Sequence, residues 1–191
     1  MLPQQTKRRR FDVEQYHRML QAGILSERDR VELIDGEIVE MTPVGGRHVR
    51  CVNRLTMVLA PAADRAGLSV SVQNPLILDD NGEPEPDLAL LKDESTNREN
   101  AQHVPTAGEA LLVVEVSETS LSWDKNVKTP RYAGAAIPEV WIVDLASETV
   151  DIYTGPEPSG QYRNLRTLRG EDQLRCEALG DLGVQVSDVW A

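Results

Sequence analysis

Aromatic side chains are scarce. The 191-residue chain has one phenylalanine, three tryptophans and four tyrosines, so aliphatic residues must build its core. Cysteine occurs only as Cys51 and Cys176, too few for a disulfide framework and without CxxC or metal-ligand spacing. The pair reads as free thiols of a reducing, cytoplasmic compartment. The three histidines, His17, His48 and His103, form no HExxH motif, which argues against a zinc hydrolase. GxSxG, P-loop and GxGxxG motifs are absent. No apolar run approaches the roughly 20 residues that cross a bilayer. The basic residues near Met1 lack the apolar stretch that follows them in a secretory signal.

Positive charge is also in short supply. Twenty Lys and Arg face thirty-one Asp and Glu, a net charge of −11. Four of the positive charges, Lys7, Arg8, Arg9 and Arg10, lie in the first ten residues, which hold no acid. The rest of the chain therefore has 16 bases against 31 acids, or −15. A body this acidic repels a phosphate backbone unless cations or a local basic surface intervene.

What is present is an ordinary globular balance, 40% hydrophobic and 27% charged. It predicts a single domain over residues 11–191, preceded by a mobile basic arm, residues 1–10. Phe11 to Gly23 reads as a short helix. Arg30 to Thr42 reads as a β-hairpin turning at Asp35-Gly36. Val52, Leu55, Leu59, Ala62 and Ala66 predict a helix from His48 to about Gly67, with Pro61 a candidate kink. Ser69–Leu78 reads as a strand bent at Pro75, Asn81-Gly82 as a turn and Asp87–Leu91 as a strand. The polar stretch from Lys92 to Gly108 reads as a loop.

Leu111–Val116 and Val140–Leu145 are nearly continuous apolar runs, as expected of strands buried on both faces. A helix to about Gly134, capped by Ser122 or Asp124, separates them, with Pro130 awkwardly placed inside it. Strand, helix, strand is a βαβ crossover, so the fold class is α/β with parallel pairing. Val150–Tyr153 and Tyr162–Leu168 follow as edge β-structure.

Glu115 interrupts the first apolar run. It must emerge at the sheet's end, pair with a cation or bind a metal, because a lone buried carboxylate is costly. Asp87 opens the run from Leu88 to Leu91, where it serves either as a strand-start residue or as a ligand. Together the two carboxylates suit Mg²⁺ or Mn²⁺, with the Val116 carbonyl as a further ligand. Ser117 shares a face with Glu115 but cannot supply the cation that phosphodiester cleavage needs. Lys125 and Lys128, three apart on the following helix, can. Glu32 reads either as an outward-facing hairpin residue or as a further acid, and His48 opens a helix.

The order of RVELIDGEIVEM, His48, EPEPDLALL and LLVVEVSETSLSWDKNVKTPRYAGAAIPEVWIVDL resembles the Uma-two-type putative restriction endonuclease family of the PD-(D/E)XK nuclease superfamily. The resemblance covers about Phe11 to Tyr153 and is most specific from Glu115 to Asp144. It implies a restriction-endonuclease-like core, a central mixed β-sheet flanked by helices, with an N-terminal helix and hairpin and C-terminal strands. It also implies a metal-dependent DNA endonuclease in which Pro86-Asp87 is the PD element and Glu115 the second ligand for Mg²⁺ or Mn²⁺. Ser117 replaces the usual lysine, and Lys128 matches the helix lysine that substitutes for it. Lys125 does not match. Glu32 would complete the acidic cluster, His48 matches a recurrent histidine, and Tyr132, Gly134 and Trp141 match packing or turn positions. Glu118 departs from the proline expected there. Cutting both strands of a duplex would require a homodimer, with apolar residues after Val150 and Leu182, Val184, Val186 and Trp190 as candidate contacts. The competing expectations are a non-catalytic module on a nuclease fold and a hydrolase of small phosphodiesters.

Overall fold

The computed structural model describes residues 8–26, 28–92 and 103–190. Helix α1 (Val13–Gln21) starts where Asp12 accepts a 2.7 Å bond from the Gln15 amide in a capping box, and Gly23 ends it at φ +68°. It lies on the hairpin formed by β1 (Val31–Ile34) and β2 (Glu37–Glu40), where the Tyr16 hydroxyl donates to the Val31 carbonyl at 2.9 Å. The hairpin turns at Asp35 and Gly36, both at positive φ, and a Cβ on Gly36 would lie 2.8 Å from the Phe11 carbonyl oxygen. Arg8 pairs with Glu37, Arg10 donates to the Asp35 carbonyl and Arg9 lies over the Phe11 ring. These three arginines of the expected mobile arm are thus laid against neighbouring structure; Lys7 lies outside the described residues.

Helix α2 (Gly46–Arg65) runs through Pro61 as one element. Pro61 is exposed, so the carbonyl it leaves unbonded can meet water. Strand β3 (Leu68–Val72) is shorter than expected, because Gln73 adopts φ +50° and turns the chain away. Strands β4 (Leu88–Lys92) and β5 (Ala110–Ser117) follow, and the expected loop between them lies largely outside the described residues. The helical segment 121–134 then comprises α3 (Leu121–Trp123), a π-helical turn (Asp124–Lys128) and α4 (Thr129–Gly134). Strands β6 (Glu139–Asp144), β7 (Thr149–Glu157) and β8 (Gln161–Arg169) complete the sheet, and β9 (Gln173–Cys176) pairs with β10 (Gly180–Gln185).

The six-stranded sheet has the order β3-β4-β5-β6-β7-β8, so β8 is an edge strand as expected, whereas β7, also expected at an edge, is paired on both sides. Its β5–β6 pair is parallel and the other pairs are antiparallel. Leu88, Leu90, Leu112, Val114, Trp141 and Val143 pack on one face against Leu55 and Leu59 of α2. Ala89, Leu91, Val113, Val140 and Ile142 pack on the other with Tyr132 and Ile137. Both faces of β5 and β6 are covered, which is why these strands read as unbroken apolar runs. Val186 and Val189 are buried in the α2-side core and Leu182, Val184 and Trp190 pack against it. The chain's own core thus accounts for residues that were candidate dimer contacts. Among the described residues no helix is long and apolar enough to cross a membrane.

Candidate active site

The expected capping role of Ser122 or Asp124 does not hold. The helical segment begins at Leu121, and Asp124 lies within it, buried, accepting from the Ser117 hydroxyl at 2.7 Å and the Ser120 hydroxyl at 2.6 Å. The π turn closes with the Thr129 amide bonding to the Asp124 carbonyl, five residues back. Pro130 then stands in the first turn of α4, where its missing amide costs little. The wider turn also separates the two lysines. Lys125 pairs with Asp151 at 2.6 Å, outside the cavity, so it does not share a catalytic face with Lys128.

Lys128 enters the core. Its Nζ lies 2.9 Å from Glu32 Oε2 and 3.2 Å from Glu115 Oε1, with all three residues less than 8% exposed. Burial pulls the Lys128 ammonium down, but Glu115 and Glu32 more than offset it, so its pKa rises and the charge is retained. The Tyr132 hydroxyl donates to the same Glu115 oxygen at 2.6 Å. Burial lifts the Glu115 carboxyl to about 8; Asp124 and Asp87 add repulsion, while Lys128 and Tyr132 oppose the rise. Glu32 also accepts from the Glu85 amide at 3.2 Å, so the outward-facing reading of Glu32 fails. Every residue of β1 is buried because α1 packs on the hairpin while Lys128 reaches Glu32.

Asp87 lines the same cavity. Its Oδ2 accepts from His48 Nε2 at 2.9 Å and from the Val116 amide at 2.8 Å, and Gln73 donates to Oδ1 at 3.2 Å. The Val116 group that meets Asp87 is therefore its N–H. His48 Nδ1 is buried and has no hydrogen-bond partner among the described residues. The cavity, about 740 Å³, is also lined by Glu85, Glu118, Asp124 and Trp123. Glu118 stands at the rim, where its carboxylate would lie 2.6 Å from a Cβ added to Gly45.

Sequence reasoning assigned Tyr132 to packing and left Glu85 without a role. Asp124, Lys128 and Tyr132 recur at four-residue spacing, which places side chains along one side of a helix and was the signal for this group. Glu85 stands two residues before Asp87 in EPEPD and offered only that proximity.

Among the described residues no three His, Cys, Asp or Glu side chains already converge as metal ligands. The donor chemistry nevertheless fits a divalent cation. Glu32, Glu85, Asp87, Glu115, Glu118 and Asp124 line one cavity and offer it hard oxygen atoms.

A mixed sheet with helices on both faces, and acids and a lysine gathered beside the β4 and β5 strands, defines a restriction-endonuclease-like α/β protein. Residues 13–187 match the Uma2 family model, described as putative restriction endonuclease, and the chain belongs to that family. The fold is similar to a crystal structure of a putative nuclease belonging to DUF820 from Anabaena variabilis ATCC 29413. That match has a TM-score of 0.70 and 12% identity, covering 89% of this chain and 94% of the other. No curated protein matches the chain significantly.

Proposed function

We propose that the chain is a metal-dependent DNA endonuclease hydrolysing phosphodiester bonds. The observation that carries the reading is the buried Lys128 ammonium held between Glu32 and Glu115 beside a cavity that also contains Asp87. Asp87 and Glu115, with the Val116 carbonyl, would hold Mg²⁺ or Mn²⁺. Such a cation, when bound, neutralises phosphate charge and makes water more acidic. Lys128 directs its remaining N–H at a non-bridging phosphate oxygen or at the attacking water. Glu32 acts through Lys128, fixing where the ammonium points. Tyr132 holds Glu115 Oε1. In the same reading the protein is cytoplasmic, and two copies act as a homodimer on the two strands of a duplex.

The test is cleavage of supercoiled, linear duplex and single-stranded DNA in Mg²⁺ or Mn²⁺, with Asp87→Asn, Glu115→Gln and Lys128→Met variants. Metal binding by calorimetry and a melting curve for each variant complete it. The expected result is metal-dependent cutting by the wild type that each variant abolishes while remaining folded. Cutting that survives all three substitutions would overturn the assignment.

One observation favours a second reading, a non-catalytic binding module on the same fold. Asp87 is already satisfied by His48, Gln73 and the Val116 amide, as a structural hub would be. Metal binding that is absent both with and without DNA, together with no cleavage of any substrate, would favour it.

A further inference from the structure

The acidic body poses a problem for any duplex-binding protein, and α2 contains an answer. Its twenty residues hold four arginines, Arg47, Arg50, Arg54 and Arg65, against one acid, Asp64. Residues 47, 50 and 54 are three and seven apart, so they follow one side of the helix over about 10 Å. That side flanks the stripe of Cys51, Val52, Leu55 and Leu59 that enters the core. Arg47 and Arg50 are exposed and Arg54 is half-buried. None of the three forms an ion pair with a carboxylate among the described residues, although Glu148 lies beside Arg47 and Arg50 around a small cavity of about 110 Å³.

The row is also held in place. Arg47 donates to the Leu145 carbonyl at 2.6 Å and Arg54 to the Asp188 carbonyl at 3.0 Å. Each of these guanidiniums spends one nitrogen on the protein and keeps further N–H groups for another acceptor. Anchoring reduces the entropy lost when an anion is gripped. The row begins where α2 meets the candidate active site, since Gly45 and His48 line the larger cavity. Strand β8 carries a comparable set, Arg163, Arg166 and Arg169, but lies three strands from β5 and lends no residue to that cavity. Arg65 lies about 27 Å along the helix from Arg47, away from the site.

We infer that Arg47, Arg50 and Arg54 form a phosphate-binding track that receives the backbone of duplex DNA and leads it to the Asp87–Glu115–Lys128 cavity. This inference rests on the nuclease reading for its choice of polyanion. The track supplies affinity and register without sequence preference, because its contacts go to phosphates and not to base edges.

The experiment is binding of a fluorescein-labelled duplex by anisotropy in EDTA, over a series of salt concentrations. The proteins are the wild type, R47Q/R50Q/R54Q and a control, R163Q/R166Q/R169Q, which removes the same charge from β8. Each lost phosphate contact lowers the slope of log K against log salt by about 0.9, so the α2 variant should lose about 2 to 3 units of slope. The β8 variant should lose less than one, and R47K/R50K/R54K should retain most of the wild-type slope. If R47Q/R50Q/R54Q does not fold, R50Q alone, at a side chain with no internal hydrogen bond among the described residues, should lose about one unit. Equal losses in the α2 and β8 variants would overturn the track, because bulk charge would then account for binding. An unchanged slope in the α2 variant, or a wild type that does not bind duplex, would also overturn it. Cleavage reports separately. DNA cutting with unaltered duplex binding in the α2 variant retains the nuclease and loses the track. Duplex binding through α2 without cutting in any divalent metal does the reverse.

Discussion

Glu115 Oε1 takes a hydrogen bond from Tyr132 and forms an ion pair with Lys128, and both partners come from the helical segment that crosses over the sheet. No hydrogen bond or ion pair reaches Glu115 Oε2 among the described residues, and Glu115 lines the cavity. In the proposed reading Tyr132 holds Oε1 and leaves Oε2 for the cation. Tyr132→Phe removes one bond without changing shape, and leaving a buried carboxyl oxygen under-satisfied costs about 1–3 kcal/mol. We expect a lower melting temperature and apparent Mg²⁺ affinity and turnover reduced by about 10- to 100-fold, as for groups that orient a metal ligand. The apparent KM for DNA should not change. A metal titration alongside single-turnover cleavage distinguishes this from a packing role, which would lower only the melting temperature. The sequence pointed to Glu115 directly, because a charge inside LLVVEV stands out. It did not point to the hydroxyl of Tyr132, since a tyrosine beside a core strand also serves simply by filling space.

At the scale of elements, the β1–β2 hairpin stands apart from the six-stranded sheet. Its core contacts are a small cluster of Tyr16, Val31 and Leu33 with Phe11, Val13, Leu20, Leu25 and Ile38. It reaches the helical segment through Glu32 on Lys128 and through Asp35, which accepts from Arg131 Nε at 3.2 Å and also from Nη2. The Arg131–Asp35 pair is about one-third exposed, so its loss should cost about 1 kcal/mol or less overall. Asp35→Asn should therefore barely shift the melting temperature while hydrogen exchange at amides 31–34 and 37–40 quickens. Exchange in β5 and β6 should stay as it was; uniform acceleration would contradict a separately opening hairpin. The hairpin, α2, β5 and β6 were legible in sequence because period, run length and Asp-Gly each carry a local cause. The π turn and the early end of β3 were not. Both depend on tertiary demands, bringing Lys128 between Glu32 and Glu115 and turning the chain at Gln73, that no local pattern encodes.

Taken whole, the molecule buries acids in an already acidic chain. Burial raises Glu83, Glu85, Glu115, Asp124 and Glu139 above their ordinary values, Glu115 to about 8. Between the ordinary and raised values the folded state binds more protons than the unfolded state, so unfolding free energy falls as pH rises. Asp35, Glu109 and Asp144 are lowered and act oppositely, their stabilisation being complete above their ordinary values and lost in acid. Stability should therefore peak in mild acid and decline from about pH 5 to 8, one group contributing at most about 1.4 kcal/mol per pH unit. Glu115→Gln should flatten that decline, measured by urea midpoints across the range. Identical pH slopes for the variant and the wild type would contradict the assignment to Glu115.

Leu174, Cys176, Val186 and Val189 lie in the same core cluster as Cys51, Leu55 and Leu59 of α2, the helix that also carries His48. During synthesis the ribosome has therefore delivered every candidate catalytic residue before the chain that completes this core emerges. A nascent chain at that stage can lay α2 on the sheet but lacks the residues that close the same core beside Cys51, Leu55 and Leu59. Completion of this core, and with it a fixed position for α2, therefore waits until residues 174–189 have been made.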